Sequence, residues 1–170
     1  MFQENYVIIL AVILILGVII FAVLKPKARP ATEAPSTQNA SATLPLQLQA
    51  YERLVILTER MGLRHLLGSY PTEGLSAREY QVTLVEAIKA EYDYNVSQQI
   101  YVAPKAWEAI SNLKEQNIYV INQIGSYING EASGRDLARA IAEYLSGQET
   151  GALQQVVTEA LTIEAKKLMH

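Results

Sequence analysis

The polar residues whose types could do chemistry are few, and the densest group is Tyr51, Glu52 and Arg53. A phenol, a carboxylate and a guanidinium could bind a small ligand if the fold placed them in an interhelical pocket with Trp107. The alternative is structural, with the Tyr51 hydroxyl at the edge of the core, where a buried tyrosine usually finds a partner, and with Glu52 and Arg53 on the solvated flank. We favour the structural interpretation and keep the pocket as the alternative.

No other side chains are spaced for catalysis or metal binding. Glu86, Glu91 and Asp93 cluster near the end of a predicted helix, but paired carboxylates do acid–base work only where burial separates their pKa values, and their pattern does not indicate burial. His65 has no imidazole or carboxylate three or four residues away, so the metal spacing of a helix is missing, and we expect a connector there. We therefore expect no catalytic residue, cofactor or metal.

Composition narrows the classes of protein further. The 170 residues carry 14 basic and 17 acidic side chains, a net charge of -3, two histidines and no cysteine. Without cysteine there is no disulfide framework, thiol nucleophile, Cys-ligated zinc or iron–sulfur cluster. An acidic balance is unlike that of a nucleic-acid binder, so no nucleic-acid partner is predicted. The length allows one domain together with an anchor or a tail.

The anchor is predicted at residues 6–24, a run of uncharged and almost entirely apolar residues, YVIILAVILILGVIIFAVL. As a helix this run would be about 28 Å long, close to the hydrocarbon thickness of a bilayer. Lys25, Lys27 and Arg29 follow the run and no basic residue precedes it, which is the reverse of a signal peptide. Basic residues stay on the cytoplasmic side. The N-terminus is therefore predicted outside and the rest of the chain in the cytoplasm.

The remaining chain divides into a linker and a helical domain. Residues 25–43 carry three prolines among Ala, Ser and Thr, which predicts a flexible tether. From residue 44 to 170 the apolar residues recur at helical spacing, and about five helices are predicted. Their starts are marked by the Ser76–Glu79 and Ser133–Asp136 capping boxes and by Pro104. The expected core positions are Leu46, Ala50, Leu54, Leu57, Met61, Tyr80, Leu84, Ile88, Tyr92, Trp107, Ile110, Ile121, Ile124, Ile128, Leu137, Ile141, Tyr144, Leu145, Leu153, Val157, Ala160, Leu161 and Leu168.

No segment keeps the two-residue alternation of a strand for long, so the fold class is all-α. Residues 98–102 could be extended, but one short strand cannot form a sheet alone. No repeat with a period of 20 to 50 residues is visible.

Three stretches of the chain resemble a known family. The segment 44–61, LPLQLQAYERLVILTERM, is the most specific, and residues 91–102 and 105–108 fit the same likeness. The chain resembles an uncharacterised family of small bacterial proteins, typical of Bacteroidota, with one N-terminal membrane helix. The resemblance implies this architecture and a Gram-negative inner membrane, and it implies no activity.

Apolar residues outside the predicted core remain as binding candidates. Leu48 and Ile56 lie off the main face of the first helix near Glu52, and Val156 and Ile163 do so on the last. We therefore expect a single-pass inner-membrane protein, a non-catalytic accessory subunit that binds a protein partner or a second copy through Leu48, Glu52 and Ile56. The alternative is a ligand-binding or enzymatic module that uses the Tyr/Glu/Arg pocket.

Overall fold

Six α-helices and one short 3₁₀ helix make up most of the part of the chain that the structure, a computed structural model, describes. That part is residues 37–147 and 152–169 for the backbone, and residues 43–147 and 153–169 for the side chains. The predicted anchor at 6–24, its flanking cations Lys25, Lys27 and Arg29, and the linker up to residue 36 lie outside it. No helix within the described ranges is long and apolar enough to span a bilayer.

The described residues confirm the all-α prediction, because they contain helices and no strand. The helices are α1 Thr37–Met61, α2 Leu63–Ser69, α3 Ala77–Tyr94, the 3₁₀ helix Val96–Ile100, α4 Pro104–Tyr127, α5 Gly134–Gly147 and α6 Ala152–Leu168. The described residues from Asn39 onwards belong to one compact unit.

Two local predictions differ from the structure, and one possibility that the sequence left open is excluded. The first helix begins at Thr37, so the last residues of the predicted linker are helical. His65, expected in a connector, lies in the two-turn helix α2. Residues 98–102 are not extended, because residues 96–100 form the 3₁₀ helix that links α3 to α4.

The predicted helix starts are confirmed where the sequence carries a local signal. Ser76 is the N-cap of α3, and the side chains of Ser76 and Glu79 form the reciprocal bonds of a capping box. The Ser133 and Asp136 side chains make the same exchange at the start of α5. Pro104 begins α4, where its missing N–H leaves no helical hydrogen bond unmade.

The two capping boxes lie side by side. An isolated antiparallel bridge joins Ser76 and Ser133. The Ala77 N–H donates to the Ala132 carbonyl, and the Gly134 N–H donates to the Leu75 carbonyl, both at 2.8 Å. Ala77 in the first loop corresponds to Gly134 in the second, and Leu75 corresponds to Ala132, so the two hydrogen bonds are equivalent. The loops are therefore related by a local pseudo-twofold axis.

The same exchange relates the sequences of the two loops. Residues 68–79 read GSYPTEGLSARE, and residues 125–136 read GSYINGEASGRD. The two segments are 57 positions apart, which is also the separation of the bridged residues Ser76 and Ser133. Five of the twelve positions are identical without a gap: Gly, Ser, Tyr, Ser and Arg. The domain therefore contains two related helix–loop–helix units, α2–α3 and α4–α5. The period is longer than the 20 to 50 residues considered from the sequence.

The core forms between these two units and is covered by α1 and α6. Large side chains that are fully buried come from α1 to α5 (Leu54, Leu57, Met61, Leu66, Tyr80, Leu84, Ile88, Ile110, Leu113, Ile121, Leu137 and Ile141) and, with Leu161, from α6. Burial raises the pKa of the Tyr80 hydroxyl, which donates to the Tyr70 carbonyl.

Several predicted core residues are less buried than expected. Leu46, Leu153 and Ala160 are exposed. The half-buried ones are Trp107, Tyr92, Ile124, Ile128, Tyr144, Leu145 and Leu168. For Leu46 the reason is that close packing of α1 begins one turn later, at Ala50. For α6 the reason is that its apolar arc is wider than the surface it covers.

The course of α1 defines two ends of the domain. The Ala103 N–H donates to the Tyr51 hydroxyl, and Asn117 Nδ2 donates to the Met61 carbonyl at 2.8 Å, so α1 runs in the same direction as α4. We call residues 94–103, between α3 and α4, the connector, and the end of the domain that carries it the connector end. The two repeated loops lie at the opposite, loop end.

Helix α6 runs antiparallel to α1. The Thr58 and Thr158 hydroxyls are 3.0 Å apart, and a Cβ at Gly62 would meet the Gln154 side chain. If this antiparallel pairing continues along both helices, Leu168 of α6 lies at the same height as Leu48 of α1. The C-terminus of α6 therefore lies at the connector end.

Candidate functional site

The residues of the predicted Tyr/Glu/Arg pocket have separate structural roles. The Tyr51 side chain is buried, and its hydroxyl accepts the Ala103 N–H at 3.1 Å. Glu52 and Arg53 are exposed, and the Arg53 guanidinium lies 5.7 Å from the centre of the Tyr94 ring. Trp107 instead packs on Tyr92, with ring centroids 5.0 Å apart. The structural interpretation of Tyr51, with Glu52 and Arg53 on the solvated flank, is confirmed.

The acidic cluster at the end of α3 forms surface ion pairs. Glu86 accepts a bond from Lys89 at 2.9 Å, Glu91 lies 3.3 Å from Arg60, and Asp93 is exposed. Pairs of this kind contribute little to stability, because water and salt screen both charges. The cluster is solvated, as predicted, and offers no pair of carboxylates held in different environments.

Among the described residues, the carboxylates with lowered pKa values are those of the capping boxes. Backbone and side-chain hydrogen bonds from Ser76 hold the pKa of Glu79 below its ordinary value. The Ser133 side chain and backbone do the same for the pKa of Asp136, helped by Arg139 and Arg135. Both carboxylates are ionised at neutral pH and cap the first turns of their helices. Their lowered pKa values therefore reflect a structural role.

The repeated loops do not have the ligands of a calcium site. An EF-hand loop supplies side-chain oxygens at positions 1, 3, 5 and 12. The acid at position 12 would be Glu79 in the first loop and Asp136 in the second. Position 1 is then glycine and position 3 tyrosine in both loops, and position 5 is Thr72 in the first loop and Asn129 in the second. The acids at position 12 are already engaged by the capping serines. No group of three or more candidate ligands lies together within the described ranges.

A cleft of about 510 Å³ with several polar side chains in its wall opens at the loop end, between the start of α3 and the end of α4. Gln81 is buried in its wall, donates to Asn122 Oδ1 at 2.8 Å and accepts from Arg78 at 3.0 Å. Gly125 makes room for this amide, because a Cβ there would lie 2.8 Å from it. The residues lining the cleft include no histidine and no carboxylate. The cleft can form hydrogen bonds but holds no group for proton transfer near neutral pH.

Sequence reasoning missed this cleft. The signals that could have found it are Gln81, a polar residue next to the apolar face of α3, and Gly125, which opens the second copy of the repeated loop.

The three binding residues predicted on α1 are not equivalent. Leu48 is half-buried, at the level that Leu168 reaches, whereas Glu52 and Ile56 are exposed. Exposed Glu52, Glu59 and Arg60 lie close to Ile56 on the surface of the helix. The three predicted residues therefore do not form a continuous apolar surface, and their role in binding a partner stays a prediction.

A continuous apolar surface does occur on α6. Leu153, Val156, Ala160 and Ile163 follow one another at steps of three and four, and all four are exposed. We call these residues the α6 track. The adjacent buried face of the same helix carries Val157 and Leu161. The sequence indicated Val156 and Ile163 but assigned the other two to the core.

The connector carries the other dense group of exposed apolar side chains, Tyr94, Val96, Ile100 and Tyr101. These residues lie within eight positions, and no charged residue occurs between Asp93 and Lys105. The segment belongs to one of the stretches that carry the family resemblance.

Comparison with known proteins gives one match. The family model described as "Family of unknown function (DUF7935)" matches residues 2–168. No curated protein and no solved structure shows a significant match. The match spans nearly the whole chain, including the predicted anchor, the linker and the helical domain. This protein belongs to the family of unknown function DUF7935.

Proposed function

We propose that this protein is a membrane-anchored, non-catalytic accessory subunit that binds a protein partner through the α6 track. The observation that carries the proposal is that four apolar residues at helical spacing are exposed on a helix whose other face is well packed. Exposed apolar residues that stand singly are normal, but an ordered stripe of them is typical of a binding surface.

The chemistry of the track favours an amphipathic helix as the partner. A helix recognises another helix through residues at i, i+3 and i+7, which is the spacing of Leu153, Val156 and Ala160. Exposed Lys166 and Lys167 at the C-terminal end of α6 would meet acidic residues of the partner; Lys167 is also bonded to Glu164. One stripe buries much less than the roughly 800 Å² per partner of a stable interface. The partner must therefore contact further surface, or be held nearby by the membrane.

The membrane part of the proposal is supported by the sequence. The family match begins at residue 2, so the apolar run 6–24 belongs to the region that defines the family. Lys25, Lys27 and Arg29 follow the run, which supports an N-terminus outside and a cytoplasmic domain at a bacterial inner membrane. Membership of a family typical of Bacteroidota belongs to the same proposal.

A ligand-binding function is the alternative, and the observation that favours it is the loop-end cleft. A ligand there would be held by the Arg78, Gln81 and Asn122 side chains, which form a chain of hydrogen bonds. Tyr51, Glu52 and Arg53 would have no part in it.

The test is co-purification of partners with the full-length protein from solubilised native membranes. Val156→Glu introduces a charge into the track, and its matched control is Val82→Glu, because Val82 is a similarly exposed valine on α3. We expect Val156→Glu to lose a partner that the parent and Val82→Glu retain, since a charge buried in an apolar contact is costly. Both variants should melt like the parent.

Two further variants separate the alternatives. Ile56→Glu tests the surface predicted from the sequence, and loss of the partner only in this variant would move the binding site from α6 to α1. Gln81→Ala tests the cleft, and it should leave partner binding unchanged. If Val156→Glu, correctly folded, retains every partner of the parent, the α6 track is not the binding surface.

A further inference from the structure

We propose that the connector end of the domain rests on the lipid surface of the membrane that the anchor spans, with Tyr94, Val96, Ile100 and Tyr101 in the bilayer interface. The proposal rests on the membrane anchor of the proposed function and is independent of the α6 track. It assigns the connector a partner, the lipid bilayer.

The composition of the connector suits this partner. Tyr94 and Ile100 are the most exposed of its large side chains, at 72% and 74%. From Tyr94 to Pro104 the chain carries no charge, so insertion would require no ion to lose its water. Tyrosine is enriched at membrane interfaces because its ring is apolar and its hydroxyl can stay hydrated. The 3₁₀ helix also pairs backbone groups that would otherwise need water, as shown by the Tyr101 N–H, which donates to the Gln98 carbonyl.

The direction of α1 indicates which end of the domain the preceding chain joins. Tyr51 contacts the connector through Ala103, and the residues after Tyr51 run away from it, towards Asn117 in the middle of α4. The turns of α1 before Tyr51 therefore lie on the connector side. Since residue 36 is bonded to Thr37, the predicted tether and anchor are attached to this N-terminal end of α1.

The length of the tether allows the connector to reach the bilayer. Residues 25–36 can span at most about 40 Å when extended. From Thr37 to Tyr51 the helix rises about 21 Å. Because the extended tether would be longer than this rise, it could lead back from the start of α1 to the bilayer, and the connector would then be within reach of the membrane surface.

The charges around the connector are of both signs. Arg53, Lys105, Lys166 and Lys167 are exposed at this end of the domain and could meet lipid phosphates. Asp93 and Glu108 are exposed there too, and Lys167 is paired with Glu164. Because acidic groups accompany the cations, attraction to anionic lipid is not the main force. The proposal therefore depends on the apolar side chains, and docking should occur on vesicles of phosphatidylcholine alone.

The absence of cysteine allows a direct test. A single cysteine at residue 100 (Ile100→Cys) would carry an environment-sensitive fluorophore in the full-length chain, reconstituted alone in phosphatidylcholine vesicles. Tyr127→Cys is the matched control, since Tyr127 is 85% exposed and lies at the loop end. Ile13→Cys reports the predicted anchor. Tyr94→Cys gives a second position in the connector in case the label at residue 100 disturbs the fold.

We expect the labels at residues 100 and 94 to shift to the blue and to be quenched by lipids that carry a spin label in the upper part of the acyl chain. The label at residue 127 should keep the emission it has in water. If the residue 13 label is quenched but the connector labels behave like the label at residue 127, the anchor stands and the connector proposal is wrong. If the residue 13 label is not quenched either, even by lipids that carry the spin label deep in the acyl chain, both the anchor and the connector proposal fail.

A protein partner on the connector would give a different result. In that case the residue 100 label would respond in native membranes but not in vesicles that contain only the purified protein. That outcome would also overturn lipid docking.

Discussion

Two neighbouring valines in α6 test the orientation of the helix on which the proposed binding surface depends. Val157 is 4% exposed and Val156 is 59% exposed. The perturbation is the same at both positions, valine to alanine, so side-chain chemistry and helix position are matched. Only the environment differs.

The expected magnitudes follow from burial. Val157→Ala removes two buried carbon groups worth about 0.8 kcal/mol each and leaves a small cavity, so unfolding should become easier by about 2–3 kcal/mol. Val156→Ala removes atoms that already contact water, and alanine favours a helix slightly more than valine does. Its free energy of unfolding should change by no more than about 0.5 kcal/mol in either direction.

The assay is urea unfolding and thermal melting of both full-length variants beside the parent, followed by far-UV circular dichroism. In a domain of this size each kcal/mol shifts Tm by about 3–6 °C, so Val157→Ala should melt roughly 10 °C lower. If Val156→Ala proves as destabilising as Val157→Ala, the exposed track belongs to the core and the proposal for α6 fails. Equal, small effects would show that α6 is not packed on the domain.

Two further predictions concern the elements around the core. Tyr51→Phe should lower the free energy of unfolding by about 1–2 kcal/mol, because the Ala103 N–H loses its acceptor in a partly buried place. The control is Tyr94→Phe, since Tyr94 is an exposed tyrosine of the connector. Equal effects of the two substitutions would contradict the structural role of Tyr51. The lowered pKa values of Glu79 and Asp136 predict stability that is full above their ordinary values of 4.5 and 3.8 and is lost as the pH falls through the lower, folded-state values. Urea unfolding between pH 6 and pH 2.5 measures this loss of stability, which should be smaller in Glu79→Gln. If the free energy of unfolding of that variant falls with pH as steeply as that of the parent, the capping box does not contribute to the pH dependence.

The features that the sequence alone predicted correctly are those whose causes are local. Helical spacing of apolar residues, the two Ser/acid capping boxes and Pro104 each act within one or two turns, and the structure confirms the helix starts that they mark. The structural role of Tyr51 was also predictable, because a tyrosine on an apolar face needs a partner for its hydroxyl. The identity of that partner, a backbone N–H of the connector 52 residues away, was not.

Exposure on a helix was predicted less well, because it depends on where neighbouring helices end. Leu46 follows the same spacing as Ala50 and Leu54, yet only the latter two are buried. In α6, Leu153, Val156 and Val157 all belong to one broad apolar arc, and periodicity could not show which part of it the domain covers. Leu48 looked like a surface residue for the same reason, and it is half-buried at the level that the end of α6 reaches.

The helical class and most of the helix starts could be predicted before the structure was known, because side chains within one or two turns decide them. Only the tertiary structure paired Ser76 with Ser133 and so revealed two related helix–loop–helix units. Only it showed that Gln81 and Gly125, which are far apart in the chain, line one cleft. Only it separated the two faces of α6 and put the connector on the side where α1 begins. Each of these features depends on contacts between residues distant in the chain, which helical periodicity does not encode.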